Sequence, residues 1–142
     1  MMRILVPIDG SVDTERALTY MIERHRGGDV VASLVYVHEP PVRSHAVSLR
    51  QHQDFLGAFR SLRARDVLAA AATRLREEGI RVETSEVEGP LHRTILNEAS
   101  RLDAKQIVLG VRTPLLGFRG LDRMKGLRRV GGEFPTYVMA GS

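Results

Sequence analysis

A chain of 142 residues, 43% hydrophobic and of mean hydropathy −0.14, is long enough for one ordinary domain with a proper core over residues 1–142. It has no cysteine, which excludes disulfides, thiolate catalysis and cysteine-type zinc sites. No apolar run approaches the roughly 20 residues that span a bilayer, and the apolar opening Ile4-Leu5-Val6-Pro7 is too short for a secretory leader, so a cytoplasmic protein is expected.

The net charge of +4 is concentrated in one place. Residues 110–130 hold Arg112, Arg119, Arg123, Lys125, Arg128 and Arg129 against Asp122 alone, and the rest of the chain is nearly balanced. Such a segment either meets an anion or forms a solvated face.

In chain order, a first strand is expected over Arg3 to Ile8. Asp9-Gly10-Ser11 breaks it, and Ser11 is a natural N-cap for a helix with Asp13 and Glu15 in its first turn. Ala17, Leu18, Met21, Ile22 and His25 form one face of that helix, and Gly27-Gly28 ends it. A second strand, Val30 to Val37, is apolar on both faces, as inside a parallel sheet. His38-Glu39-Pro40-Pro41 leads into a polar loop expected to reach about Asp54. The next helix carries the stripe Ala64, Val67, Leu68, Ala71 and Leu75, and Gly79 closes it.

The third strand, Ile80 to Val87, alternates apolar and polar residues like an edge. Gly89-Pro90 opens a helix with the stripe Leu91, Ile95, Ala99 and Leu102. A short buried strand, Gln106 to Gly110, comes next. After the basic loop, Leu121, Met124 and Leu127 suggest a short amphipathic helix. The last strand, Phe134 to Ala140, has Pro135 at its start, which marks a first position or an edge. The sum is an α/β fold: a three-layer open twisted sheet of five parallel strands in the order 3-2-1-4-5, with helices on both faces. Its topological switch point lies between the first and fourth strands, where ligands of open parallel sheets bind.

Five segments together resemble the universal stress protein family. They are Ile4-Leu5-Val6-Pro7-Ile8-Asp9-Gly10-Ser11 with Glu15-Arg16-Ala17-Leu18; Leu34-Val35-Tyr36-Val37-His38-Glu39-Pro40; Glu88-Gly89-Pro90; Leu102 to Gly110; and Phe134-Pro135-Thr136-Tyr137-Val138. The resemblance implies ATP or another adenine nucleotide at the switch point. Asp9 and the backbone of Pro7 and Ile8 would meet the adenosine part, and Val37 would line the base. The family's phosphates rest on a loop of pattern G-x2-G-x9-G-[S/T], whose glycines let N–H groups curl around the anion.

The chain departs from that loop. Gly110 matches the first glycine, but Thr113 followed by Pro114 stands at the second, and Asp122-Arg123 falls at the helix-start pair. A carboxylate there opposes phosphate. Arg112, Arg119 and Arg123 lie in the same loop and can hold phosphate by bidentate hydrogen bonds instead. The expected binding set is Pro7, Ile8, Asp9, Val37, Gly110, Arg112, Thr113 and Arg123. No catalytic or metal-binding residue is expected: Ser11 lacks an activating histidine, and His25, His38, His45, His52 and His92 show no ligand spacing.

Two readings follow. One is a non-enzymatic regulatory stress protein with a degenerate phosphate loop. The other is an adenine-nucleotide-binding protein whose arginines replace the glycines. A slow ATPase is a weaker third. With 5% aromatic residues and no tryptophan, nucleic acid is disfavoured as the partner of the basic loop. A homodimer through Phe134 to Ala140, which the resemblance implies, and an unidentified protein partner complete the expectations.

Overall fold

Short runs rich in β-branched and aliphatic residues, separated by helix-period segments, lead the chain to build a parallel sheet one βαβ unit at a time. In a computed structural model, residues 1–39, 46–110, 127–130 and 136–139 are described, with side chains for 1–39 and 62–110. The elements are β1 (Met2–Pro7), α1 (Val12–His25), β2 (Val30–His38), α2 (Ala46–Glu77), β3 (Arg81–Glu88), α3 (Leu91–Arg101), β4 (Gln106–Val108), β5 (Leu127–Val130) and β6 (Thr136–Met139). They form one sheet in the order β3-β2-β1-β4-β6-β5. β1 pairs in parallel with β2 from Met2↔Val30 to Pro7↔Val35 and with β4 at Leu5↔Ile107. β2 pairs in parallel with β3 from Val31↔Arg81 to His38↔Glu88.

The two faces of the sheet follow from the period of two along a strand. Ile4, Val6, Ala32 and Leu34 pack with Ala17, Leu18 and Met21 of α1 and with Leu68, Ala71 and Leu75 of α2. Leu5, Val35 and Ile107 point the other way, onto Ile95 and Ala99 of α3. β1 and β2 are thus apolar on both sides because both sides are covered. On the outer turn of α3, Glu98 is buried; hydrogen bonds from Arg101 (Nε–Oε1 2.9 Å, Nη2–Oε2 2.7 Å) hold its carboxyl below the usual range despite burial.

The order 3-2-1-4, the helices on both faces and β3 at an edge agree with the sequence reading. Three expectations differ. First, α2 begins at Ala46, where a polar loop to about Asp54 was expected. Residues 46–54 contain neither glycine nor proline and include Ala46, Leu49, Arg50, Gln51 and Gln53, all good helix formers; propensity carries the helix where no clear apolar stripe announces it. Second, Leu127, expected in an amphipathic helix, starts β5; the other residues of that expected helix lie outside the described ones.

Third, the C-terminal strand takes its expected place beside β4 but runs antiparallel to it (Ile107↔Tyr137), and β5 pairs antiparallel on its far side (Arg129↔Tyr137). The 131–135 connection is too short for the dozen or more residues that a parallel crossover needs, so β5 and β6 form a hairpin. β6 is therefore internal. The strand expected to offer a free dimer edge is paired on both sides, and β3 and β5 are the outer strands. Phe134, Pro135 and Ala140 lie outside the described residues. No helix among the described residues is long and apolar enough to cross a membrane.

Packing makes a direct prediction. Leu34, fully buried in β2, should cost about 2–5 kcal/mol as Leu34→Ala. Leu62, 59% exposed on α2, should change stability by no more than about 0.5 kcal/mol as Leu62→Ala. Urea unfolding of both variants checks the burial pattern, and equal losses would contradict it.

Candidate functional site

At the carboxyl end of β1 the chain must turn from strand to helix within a few residues. Ile8 still donates its N–H to Val35 O (2.9 Å), so the strand register holds up to Asp9. Gly10 then adopts φ +84°, a left-handed conformation that a side chain disfavours. The turn is held by Thr14 in the first turn of α1. Its hydroxyl accepts from the N–H groups of Asp9 (2.9 Å) and Gly10 (3.2 Å) and donates to Asp9 Oδ1 (2.9 Å). Ser11 N–H donates to the same Oδ1 (2.9 Å).

Ser11 occupies the expected N-cap position in extended backbone, yet its side chain makes no cap bond. Asp9 and Thr14 instead take the N–H groups of the turn that precedes the helix, those of Asp9, Gly10 and Ser11. Burial works to raise the Asp9 carboxyl, but hydrogen bonds from Ser11 and Thr14 outweigh it and hold the group below its ordinary value. Asp9 thus organises the turn into α1 and also borders the cavity described next. Because its folded-state value is depressed, its contribution to stability is present above the unfolded carboxyl pKa and is lost as pH falls through the folded one.

A cavity of about 130 Å³ opens at the carboxyl ends of the central strands. Pro7, Ile8 and Asp9 line it from β1 and its end, Val35 and Val37 from β2, and Leu109 and Gly110 from the end of β4. Leu91 at the start of α3 closes one side, and Asp13, Thr14 and Glu39 supply the remaining polar lining. This is the switch point between β1 and β4. The apolar residues suit a flat, weakly polar ring. The carboxylates can accept hydrogen bonds from sugar hydroxyls but repel phosphate. Arg16 bonds Asp13 at 3.4 Å from the helix side.

Five expected residues, Pro7, Ile8, Asp9, Val37 and Gly110, come together here. Arg112, Thr113 and Arg123 lie outside the described residues. His38 does not line the cavity: its Nε2 bonds Glu86 Oε1 (3.0 Å), and its ring lies 4.9 Å from that of Tyr36. Among the described residues no cluster of histidine and carboxylate side chains is arranged to hold a metal.

Sequence reasoning missed Thr14 and Leu91. The signal for Thr14 was a hydroxyl in the first helical turn, five residues after Asp9. For Leu91 it was the first position after Gly89-Pro90, which a sheet-end helix turns toward the ligand edge.

Gly110 has a structural duty that its place in a phosphate-loop pattern hides. A Cβ there would sit 1.5 Å from Asp13 O and 3.0 Å from Ala17 N. The end of β4 passes directly against the backbone of α1, and only glycine allows that approach.

The profile of the universal stress protein family matches residues 1–131. A universal stress protein family protein from Arabidopsis thaliana, crystallised with AMP bound, has a TM-score of 0.63 at 17% identity, covering 86% of this chain and 84% of its own. UspA from Lactobacillus plantarum has a TM-score of 0.63 at 19% identity, covering 72% and 70%. The Archaeoglobus fulgidus universal stress protein in complex with dAMP has a TM-score of 0.56 at 23% identity, covering 75% and 78%. At these identities the likeness is one of fold. No curated protein matches the sequence.

The contact at Gly110 predicts that Gly110→Ala destabilises the protein by about 1–3 kcal/mol or more, since the obstructing atoms are backbone and cannot rotate away. Denaturant midpoints test this; a loss under about 0.5 kcal/mol would mean that the strand end yields freely.

Proposed function

Since the chain belongs to the universal stress protein family, we propose that it is a non-catalytic regulatory protein whose switch-point cavity takes the adenosine part of an adenine nucleotide. The observation that carries this reading is the convergence of Pro7, Ile8, Asp9, Val37 and Gly110 on one cavity with an apolar lining from Val35, Leu91 and Leu109. AMP and dAMP in related structures support the same ligand class. In this proposal Val37 and Leu91 flank the base, and Asp9 accepts hydrogen bonds from ribose hydroxyls. The phosphates contribute little, because Asp9, Asp13 and Glu39 border the cavity and the loop glycine pattern is broken at Thr113 and Asp122.

The second reading assigns the phosphates to Arg112 and Arg123. It is favoured by the placement of the whole basic excess in residues 110–130. Neither reading assigns a chemical step to the site.

Titration calorimetry and thermal unfolding with adenosine, AMP and ATP separate the two. The proposal predicts that adenosine binds about as tightly as ATP, stabilises the fold by about 2.7 kcal/mol at 100 times its dissociation constant, and is excluded by Val37→Phe. Much tighter binding of ATP, with the difference erased by Arg123→Ala, would establish the arginine reading instead. No stabilisation by any of the three compounds would overturn both.

A further inference from the structure

Behind the ligand cavity lies a second opening of about 400 Å³, a groove between α1 and α2 bordered by Gly10, Thr14 and Val67. Thr14 borders both openings. The groove wall meets the ligand-site loop at one point: a Cβ at Gly10 would lie 2.9 Å from Cγ2 of Val67, so the glycine backbone lies next to that methyl group with no room for a side chain between them. Two helical turns further along α2, Arg74 bonds Glu15 and reaches Thr19 Oγ1 (3.2 Å), linking α2 to α1 along the same face. Val67 is half-buried and packs at the margin of the core that the two helices share.

From these contacts we infer that Val67 is a positioning residue for the ligand cavity: it holds Gly10, and through the Thr14 hydroxyl it sets the orientation of the Asp9 carboxylate. Three of the four hydrogen bonds that fix Asp9 and Gly10 run through Thr14 Oγ1. A shift of the Gly10 backbone into the space left by a smaller residue 67 lengthens the hydrogen bonds that the Gly10 and Asp9 N–H groups donate to Thr14 Oγ1. Asp9 then turns relative to Pro7, Val37 and Gly110, although residue 67 touches no ligand.

The inference rests on the adenosine reading of the cavity for its binding consequence, but not for its geometric one. The experiment reads both. Asp9 is titrated by carbon NMR of its carboxyl, and adenosine affinity is measured by calorimetry, in wild type, Val67→Ala, Val67→Ile and Leu68→Ala. Leu68, 5% exposed, faces the sheet rather than Gly10, so its truncation controls for simple destabilisation. The charged groups around Asp9 are unchanged throughout: Asp13 and Glu39 on the cavity side, and Glu15, Asp66 and Arg74 along the groove.

In Val67→Ala, Asp9 should titrate about half a pH unit or more above wild type as its hydrogen bonds loosen, and adenosine should bind about fivefold more weakly. Val67→Ile, which keeps a branched apolar side chain against Gly10, should match wild type in both. Leu68→Ala should lower the denaturant midpoint more than Val67→Ala does and leave the Asp9 titration in place. An unchanged Asp9 titration in Val67→Ala, or an equal change in Leu68→Ala, overturns the inference. If wild type binds no adenosine, the functional proposal fails while the titration still decides the role of Val67.

Discussion

A single hydroxyl group joins the sheet to the site. Thr14 Oγ1 accepts hydrogen bonds from the N–H groups of Asp9 and Gly10 and donates one to Asp9 Oδ1, so three groups that would otherwise need water are satisfied by one side chain. The turn from β1 into α1 depends on this arrangement, since Ser11 makes no cap bond of its own. From it follow the lowered carboxyl of Asp9, the left-handed Gly10 and the seating of Gly10 against Val67. The close approach of Gly110 to Asp13 O then sets the end of β4 against the same first turn of α1. The mouth of the cavity is thus bounded by backbone that has little freedom to move.

This rigidity bears on what the site can select. A cavity of about 130 Å³ with an apolar lining and three bordering carboxylates is suited to a neutral ring and its hydroxyls. Gly110, at the border of that cavity, is also required for packing against α1. The positive charge needed by an anion lies instead in side chains between Arg112 and Arg129 in the sequence. The division between acidic described lining and basic loop is what makes adenosine against ATP the informative comparison.

The central strands were legible in the sequence because burial on both faces leaves continuous apolar runs, as in Val30 to Val37. β3 was legible as an edge because only one side of it is covered, which leaves Val82 buried between exposed neighbours. Asp9 could be placed at the site because topology brings the end of the first strand to the switch point, whereas Val37 was placed there by the family resemblance. Thr14 could not, since its bonds reach back to Asp9 and Gly10 and belong to no periodic pattern. The start of α2 was hidden because helix propensity without an apolar stripe leaves little trace. The hairpin of β5 and β6 was hidden because Leu127 fits an amphipathic helix as well as a strand, and the reversal is decided by pairing with β4. Gly110 was picked out by its phosphate-loop spacing, while its close contact with α1 left no trace in the sequence.

The claim that the switch-point cavity is the adenosine site is tested most directly by backbone amide NMR during titration with adenosine. The account predicts shifts concentrated at Ile8, Asp9, Val37, Leu91 and Gly110, with the amides of β3 and of α2 beyond Arg74 left in place. Shifts centred on the groove between α2 and β3, near Arg76 and Ser85, with the β1 and β4 ends undisturbed, would contradict it.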